Sequence, residues 1–179
     1  GSMPEDNSEW MDSLFLPSST ASAGAILVGT WCIFLNIINI AIGAFSEGRK
    51  VLWIDFLTNG SNTNSEWEMG ILIGDIIFGS IGIAILSAGI FGMNKAREDG
   101  IAGWIGGLPS GPVLSSLIST DGGITRTLAS WLALSGMAFY FYWGALNNTW
   151  VDPGVYSVSI ALVSFGLGLH ILQEAESSQ

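Results

Sequence analysis

The chain has 179 residues, 49% of them hydrophobic and only 11% charged, with 24 glycines and a net charge of −10. Soluble domains carry about 25% charged residues, so one water-soluble core fits poorly and one membrane domain fits well. Five basic residues leave no footprint for nucleic acid and no polybasic segment for anionic lipid. The single cysteine, Cys32, excludes an internal disulfide, a CxxC thiol relay and a cysteine-based metal site.

Gly1-Ser2 before Met3 reads as a vector-derived leader. With no Lys or Arg before Arg49, the start lacks the basic region of a secretory signal. Residues 1–20 form a polar tail in which Trp10, Met11, Leu14, Phe15 and Leu16 suggest an interfacial turn ending at Pro17. Ser18, Ser19 or Thr20 can cap the helix that follows.

Residues 21–45 contain no Asp, Glu, Lys or Arg, and further apolar segments occupy 69–93, 128–146 and 155–172. A mainly apolar run of about 18 or more residues matches the ~30 Å hydrocarbon core of a bilayer. Four such runs predict an all-α, polytopic membrane helix bundle with four transmembrane helices, a single domain over 21–172 and an acidic tail over 173–179.

The first loop holds Arg49 and Lys50, then an interfacial Val51–Leu57 stretch and a polar turn around Asn59-Gly60. Glu66 and Glu68 suit the positive end of helix 2. The second connection begins with the charged run Lys95-Ala96-Arg97-Glu98-Asp99. Residues 101–119 are then apolar but broken by Gly103, Gly106, Gly107, Pro109, Gly111 and Pro112. That density of breakers predicts an irregular re-entrant or interfacial segment between helices 2 and 3. Asn147-Asn148-Thr149-Trp150-Val151-Asp152-Pro153-Gly154 is a turn joining helices 3 and 4.

Four spans place both termini on one side, with Lys95, Arg97 and Arg126 there against Arg49 and Lys50 opposite. Positive charge favours the cytoplasmic face, so the termini are expected inside, in the plasma (cytoplasmic) membrane. Sequons at Asn59 and Asn147 then lie outside.

An ionisable group within a span is the first place to look for function, and Asp75 is the clear one. Six residues into helix 2, it lies roughly 9 Å deep at ~1.5 Å per residue. Counting inward from the same face puts Asn39 and Tyr140 at that level, with Asn36 one turn deeper. Asp75, Asn36, Asn39 and Tyr140 are therefore the candidate ligand- or ion-binding layer. The plainer interpretation is interhelical glue, with Asp75 bonded to Asn39 or Tyr140. His170 alone makes weak metal chemistry and reads as a surface histidine near a helix C-terminus. No catalytic residue, metal ligand set or cofactor motif is present.

Small residues at four-residue spacing, Ala21/Ala25/Gly29, Ser80/Ala84/Ala88/Gly92, Gly70/Gly74 and Ser164/Gly168, suit close helix contacts, within the chain or in a homo-oligomer or membrane-protein complex. Two functions follow from different classes. One is an oligomeric channel or transporter-like protein for a cation or small solute. The other is a non-catalytic tetraspan scaffold or accessory subunit. A membrane enzyme ranks behind both, lacking paired acid, base or metal groups.

Overall fold

A computed structural model describes residues 18–54 and 70–177. The expected interfacial turn before Pro17, the Asn59-Gly60 turn and the Glu66/Glu68 helix start lie outside those residues. Four long helices, α1 (Ser19–Ala41), α2 (Ile73–Ala96), α5 (Ile124–Asn147) and α6 (Pro153–Ser177), dominate the chain. Two short helices, α3 (Gly100–Gly107) and α4 (Pro112–Ser115), separated by a 3-10 turn at Leu108–Ser110, occupy the glycine- and proline-broken stretch. Among the described residues there is no strand, only an isolated bridge between Phe45 and Arg49.

Among the described residues three helices, α1, α2 and α6, are long and apolar enough to cross a membrane, which supports an integral membrane protein. Helix α5 matches α2 in length, at 24 residues. It is less apolar, because Thr125-Arg126-Thr127 opens it and Tyr140, Tyr142 and Trp143 bring amphipathic rings near its end.

The helix ends differ from the sequence expectation in a way that matters. Ser18 caps α1 by accepting the Ala21 amide at 3.0 Å, a bond from N-cap to N3. Helix α1 stops at Ala41 rather than 45, because the chain turns through Gly43 at φ +78°. A Cβ there would also strike the Gly48 carbonyl, so glycine is required. Helix α2 begins at Ile73 rather than 69. Asn39 and Asp75 therefore stand in terminal turns, not deep in the spans. Helix α6 continues to Ser177 because Gln173, Glu174, Ala175 and Glu176 are good helix formers.

The chain divides into two units, residues 1–34 with 77–106 and residues 35–76 with 107–179. In the first, α1 and α2 approach at glycine. A Cβ on Gly29 would lie 2.5 Å from the Leu86 nitrogen, and one on Gly89 would lie 2.7 Å from the Ile26 nitrogen. Lipid tails are as apolar as leucine, so such backbone contact, rather than a hydrophobic drive, holds helices together. The buried stripe of α2 is Gly82–Gly89–Met93. Of the expected Ser80/Ala84/Ala88/Gly92 stripe, Gly92 is buried and the other three residues are exposed. Of the expected Ala21/Ala25/Gly29 stripe on α1, Gly29 is buried at the contact, while Ser22 and Ile26 are buried in place of Ala21 and Ala25.

In the second unit α5 packs along α6 through Ala129, Ser130, Ala133, Gly136 and Tyr140. A Cβ on Gly136 would come within 2.9 Å of Leu162, and one on Gly166 within 2.7 Å of the Ala133 nitrogen. The loop after α1 is laced to the loop after α5. Trp150 and Val151 both donate their amides to the Ala44 carbonyl at 2.8 Å, and the Gly48 amide donates to the Asn148 carbonyl at 3.1 Å. Asn148 takes the left-handed conformation that ends α5, a shape asparagine tolerates well. The two loops thus form one cap over that end of the unit.

Candidate functional site

Asp75 is the third residue of α2, and its carboxylate turns back to accept the Leu72 amide at 2.9 Å. This is half of a capping box, and the helix dipole favours an anion there. The same carboxylate collects three more donors. Asn39 Nδ2 lies 2.8 Å and Trp53 Nε1 3.1 Å from Oδ1, and Lys50 Nζ lies 3.3 Å from Oδ2. Lys50 also donates to the Gly70 carbonyl. Asp75 and Lys50 are each 1% exposed at the side chain, so this is a fully buried ion pair.

Asn39 is saturated. Its Oδ1 accepts the amides of Val51 at 2.7 Å and Ala44 at 3.2 Å, and its Nδ2 donates to the Val51 carbonyl at 3.0 Å as well as to Asp75. One side-chain amide thereby pairs with both backbone groups of Val51, as a neighbouring strand would. Asn36 donates to the Asp75 backbone carbonyl at 2.9 Å, and its own buried Oδ1 meets no partner among the described residues.

Tyr140, the fourth candidate, stands in a separate aromatic cluster. Its hydroxyl donates to the Trp150 carbonyl at 2.6 Å, and its ring stacks on Tyr156 with centroids 5.9 Å apart. A line of hydrogen bonds connects it to Asp75, through Asn39, the peptide of Ala44 and the peptide of Trp150. The level expected for Asp75, Asn39 and Tyr140 corresponds to this chain of amides, while Asn36, expected one turn deeper, bonds the Asp75 backbone carbonyl beside it.

Sequence reasoning missed Lys50 and Trp53. It placed both in a solvated or interfacial loop. One signal was present: a buried acid calls for a buried base, and Arg49 and Lys50 are the only cations in the neighbouring loop. Arg49 instead lays its guanidinium over the Phe45 ring at 5.1 Å, leaving Lys50 for the acid.

Beside the pair, a groove of about 320 Å³ runs between Val51–Ile54 and Leu72–Asp75. A second polar contact joins α5 to α6, with Ser130 Oγ and His170 Nε2 2.7 Å apart. His170 is only 7% exposed, which corrects the expectation of a surface histidine. Its position opposite small residues of α5 draws it between the helices. Among the described residues no group of three metal-ligating side chains occurs. The chain matches no protein-family model, no curated protein and no solved structure.

Proposed function

We propose that this is a four-span, non-catalytic membrane scaffold or accessory subunit, and that the Asp75 cluster locks its capped face instead of forming a transport path. One observation carries this. Each oxygen of the Asp75 carboxylate already takes two donors, and the Lys50 ammonium occupies the place a transported cation would take. A buried carboxylate with its own tethered cation is neutralised in advance.

Helix α5 serves as the fourth span. Its 24 residues match a bilayer, and its contacts with α6 run from Ser130–His170 at one end to Tyr140–Tyr156 at the other. Residues 101–119 then lie at the interface. None of the residues of α3, the 3-10 turn or α4 is buried save for Ser116 just beyond, whereas a re-entrant segment needs protein around it. With Lys50 buried against Asp75, Arg49 alone represents the capped face against Lys95, Arg97 and Arg126, which strengthens the termini-inside orientation in the plasma membrane. The exposed Ser80/Ala84/Ala88 stripe of α2 is the face for a second copy or another membrane protein.

The channel or transporter reading has one observation in its favour, the groove that reaches Asp75. It requires Lys50 to leave the carboxylate. Ion flux into liposomes carrying the purified protein separates the two. The scaffold reading expects Na⁺, K⁺ and H⁺ leak equal to that of empty vesicles. Saturable flux that Asn36→Leu abolishes in a stable protein overturns it in favour of a path. In a Cys32→Ala background, Ala84→Cys should form cross-linked adducts within native membranes, and its absence from any adduct removes the α2 stripe as the lateral face.

A further inference from the structure

The cap carries a second carboxylate whose surroundings are the reverse of those of Asp75. Asp152 precedes α6 and uses Oδ1 to accept the Gly154 amide at 2.8 Å, while Oδ2 lies 3.5 Å from the Thr149 hydroxyl. Among the described residues no Lys, Arg or His pairs with it; the ion pairs there are Lys50–Asp75 and Arg97–Asp99. Its negative charge therefore has no tethered counterion.

Asp152 lines a groove of about 300 Å³ with Phe139, Trp143, Gly154 and Val155, a volume at the lower end for small-molecule sites. Phe139 and Trp143 stand one turn apart on α5, with ring centroids 5.9 Å apart and planes 30° from parallel, and make a continuous aromatic wall. Gly154, which also lines the groove, adds no side chain to fill it. Trp143 is 40% exposed, so the wall is reachable from outside.

We propose that this groove binds a quaternary ammonium group. Three physical arguments select that class. An aromatic face attracts a cation through its quadrupole, most strongly at tryptophan, and a nearby carboxylate adds direct attraction. A hard metal cation needs about six oxygen ligands, and ring carbons supply none. A primary ammonium must place three N–H donors, whereas a tetraalkyl ammonium has none to satisfy, so one carboxylate and a ring wall suffice. Trp143 lies one helical turn before the end of α5, at the level of lipid headgroups if α5 spans. The group is then supplied either by a choline headgroup or by a soluble cation.

The experiment is equilibrium binding of isotope-labelled tetramethylammonium to the whole protein in phosphatidylglycerol nanodiscs, with empty discs subtracted and ionic strength held by NaCl. Saturable binding that excess Na⁺ does not displace is expected. Asp152→Asn keeps an oxygen to cap Gly154 but removes the charge, and Trp143→Leu removes the best ring. Each should weaken binding about 5- to 30-fold, while Trp143→Tyr weakens it less. In phosphatidylcholine discs, loss of probe binding assigns the site to the lipid headgroup, and retained binding assigns it to a soluble cation. Absence of saturable binding in phosphatidylglycerol discs overturns the proposal. So does binding left unchanged by both Asp152→Asn and Trp143→Leu in folded protein.

Discussion

Helix α2 has an ion pair at each end, and the two make opposite use of charge. At its start Lys50 and Asp75 meet at 3.3 Å, 25 residues apart in sequence and 1% exposed. Just past its end Arg97 and Asp99 meet at 2.7 Å, two residues apart and 37% and 53% exposed. The shorter pair is the weaker one. Water screens it and gives each partner good alternatives when it is broken. The longer pair holds together segments from α1, the first loop and α2, and neither partner has water to fall back on. Distance alone is a poor guide to what an ion pair does.

Breaking the buried pair from one side should produce the largest effect in the molecule. Lys50→Met leaves Asp75 charged and buried, and should destabilise by about 3–5 kcal/mol, read from reversible unfolding in mixed micelles. Asp75→Leu should cost a similar amount. Combining them removes both charges, so the double variant should be clearly more stable than the sum of the single losses. Additive losses would mean that the two groups act independently and that the comparison with Arg97–Asp99 is false.

Asp75→Asn sharpens the same point on a smaller scale. All four partners of Asp75 are donors: Asn39 Nδ2, Trp53 Nε1, Lys50 Nζ and the Leu72 amide. An amide offers one oxygen where the site needs two, and sets its NH₂ against further donors. A loss of about 1–3 kcal/mol is expected, measured in the same micelles. As glue between Asp75 and Asn39 alone, the change would have been mild. A near-neutral Asp75→Asn would show that Lys50 and Leu72 do not need the second oxygen.

The neutral contact between α5 and α6 belongs lower on this scale. Ser130→Ala deletes one bond to His170 and should cost about 0.6 kcal/mol, and no more than ~1.7, the range for single interhelical bonds in membranes. A larger loss would place the Ser130–His170 contact beside the ion pair as a principal staple.

The order of these effects shows what was legible in the chain. Apolar runs located the long helices because bilayer thickness dictates their length, and Asp75 stood out because charge in a span is rare. Asn39 was found as its partner by counting turns. The counting failed at the ends, where Gly43 and the side chain of Asn39 terminate α1 early. Lys50 was hidden for a related reason. A lysine after a helix reads as solvated, and nothing local says that the chain folds back to bury it. The contact at Gly29 was foreseen, but Ala21 and Ala25 were placed beside it where Ser22 and Ile26 are buried, since Ala and Gly share small size but only Gly lets backbones touch. Tyr140 sits at the expected end of α5, yet its bond to the Trp150 carbonyl depends on how the loop turns at Asn148.

The smallest effect concerns the exposed pair and appears in titration instead of stability. Arg97 donates to both carboxylate oxygens of Asp99, from Nε at 2.7 Å and from a terminal nitrogen at 2.8 Å. These bonds hold the Asp99 carboxyl below its ordinary value, with the guanidinium charge adding to them. A carboxyl lowered in the folded state stabilises above the ordinary aspartate value, about 4, and that contribution fades as pH falls through the lowered one. Because both groups face water, this contribution is small, and the unfolding free energy should change little on its account between pH 7 and 3. Carboxyl carbon shifts of Asp99 should register it, by titrating below those of a free aspartate and returning to the ordinary range in Arg97→Gln. The same return is expected when high salt is added to the wild-type protein, since screening reaches an exposed pair. An Asp99 titration indifferent to both Arg97→Gln and salt would mean that its geometry, however short, carries no interaction in water.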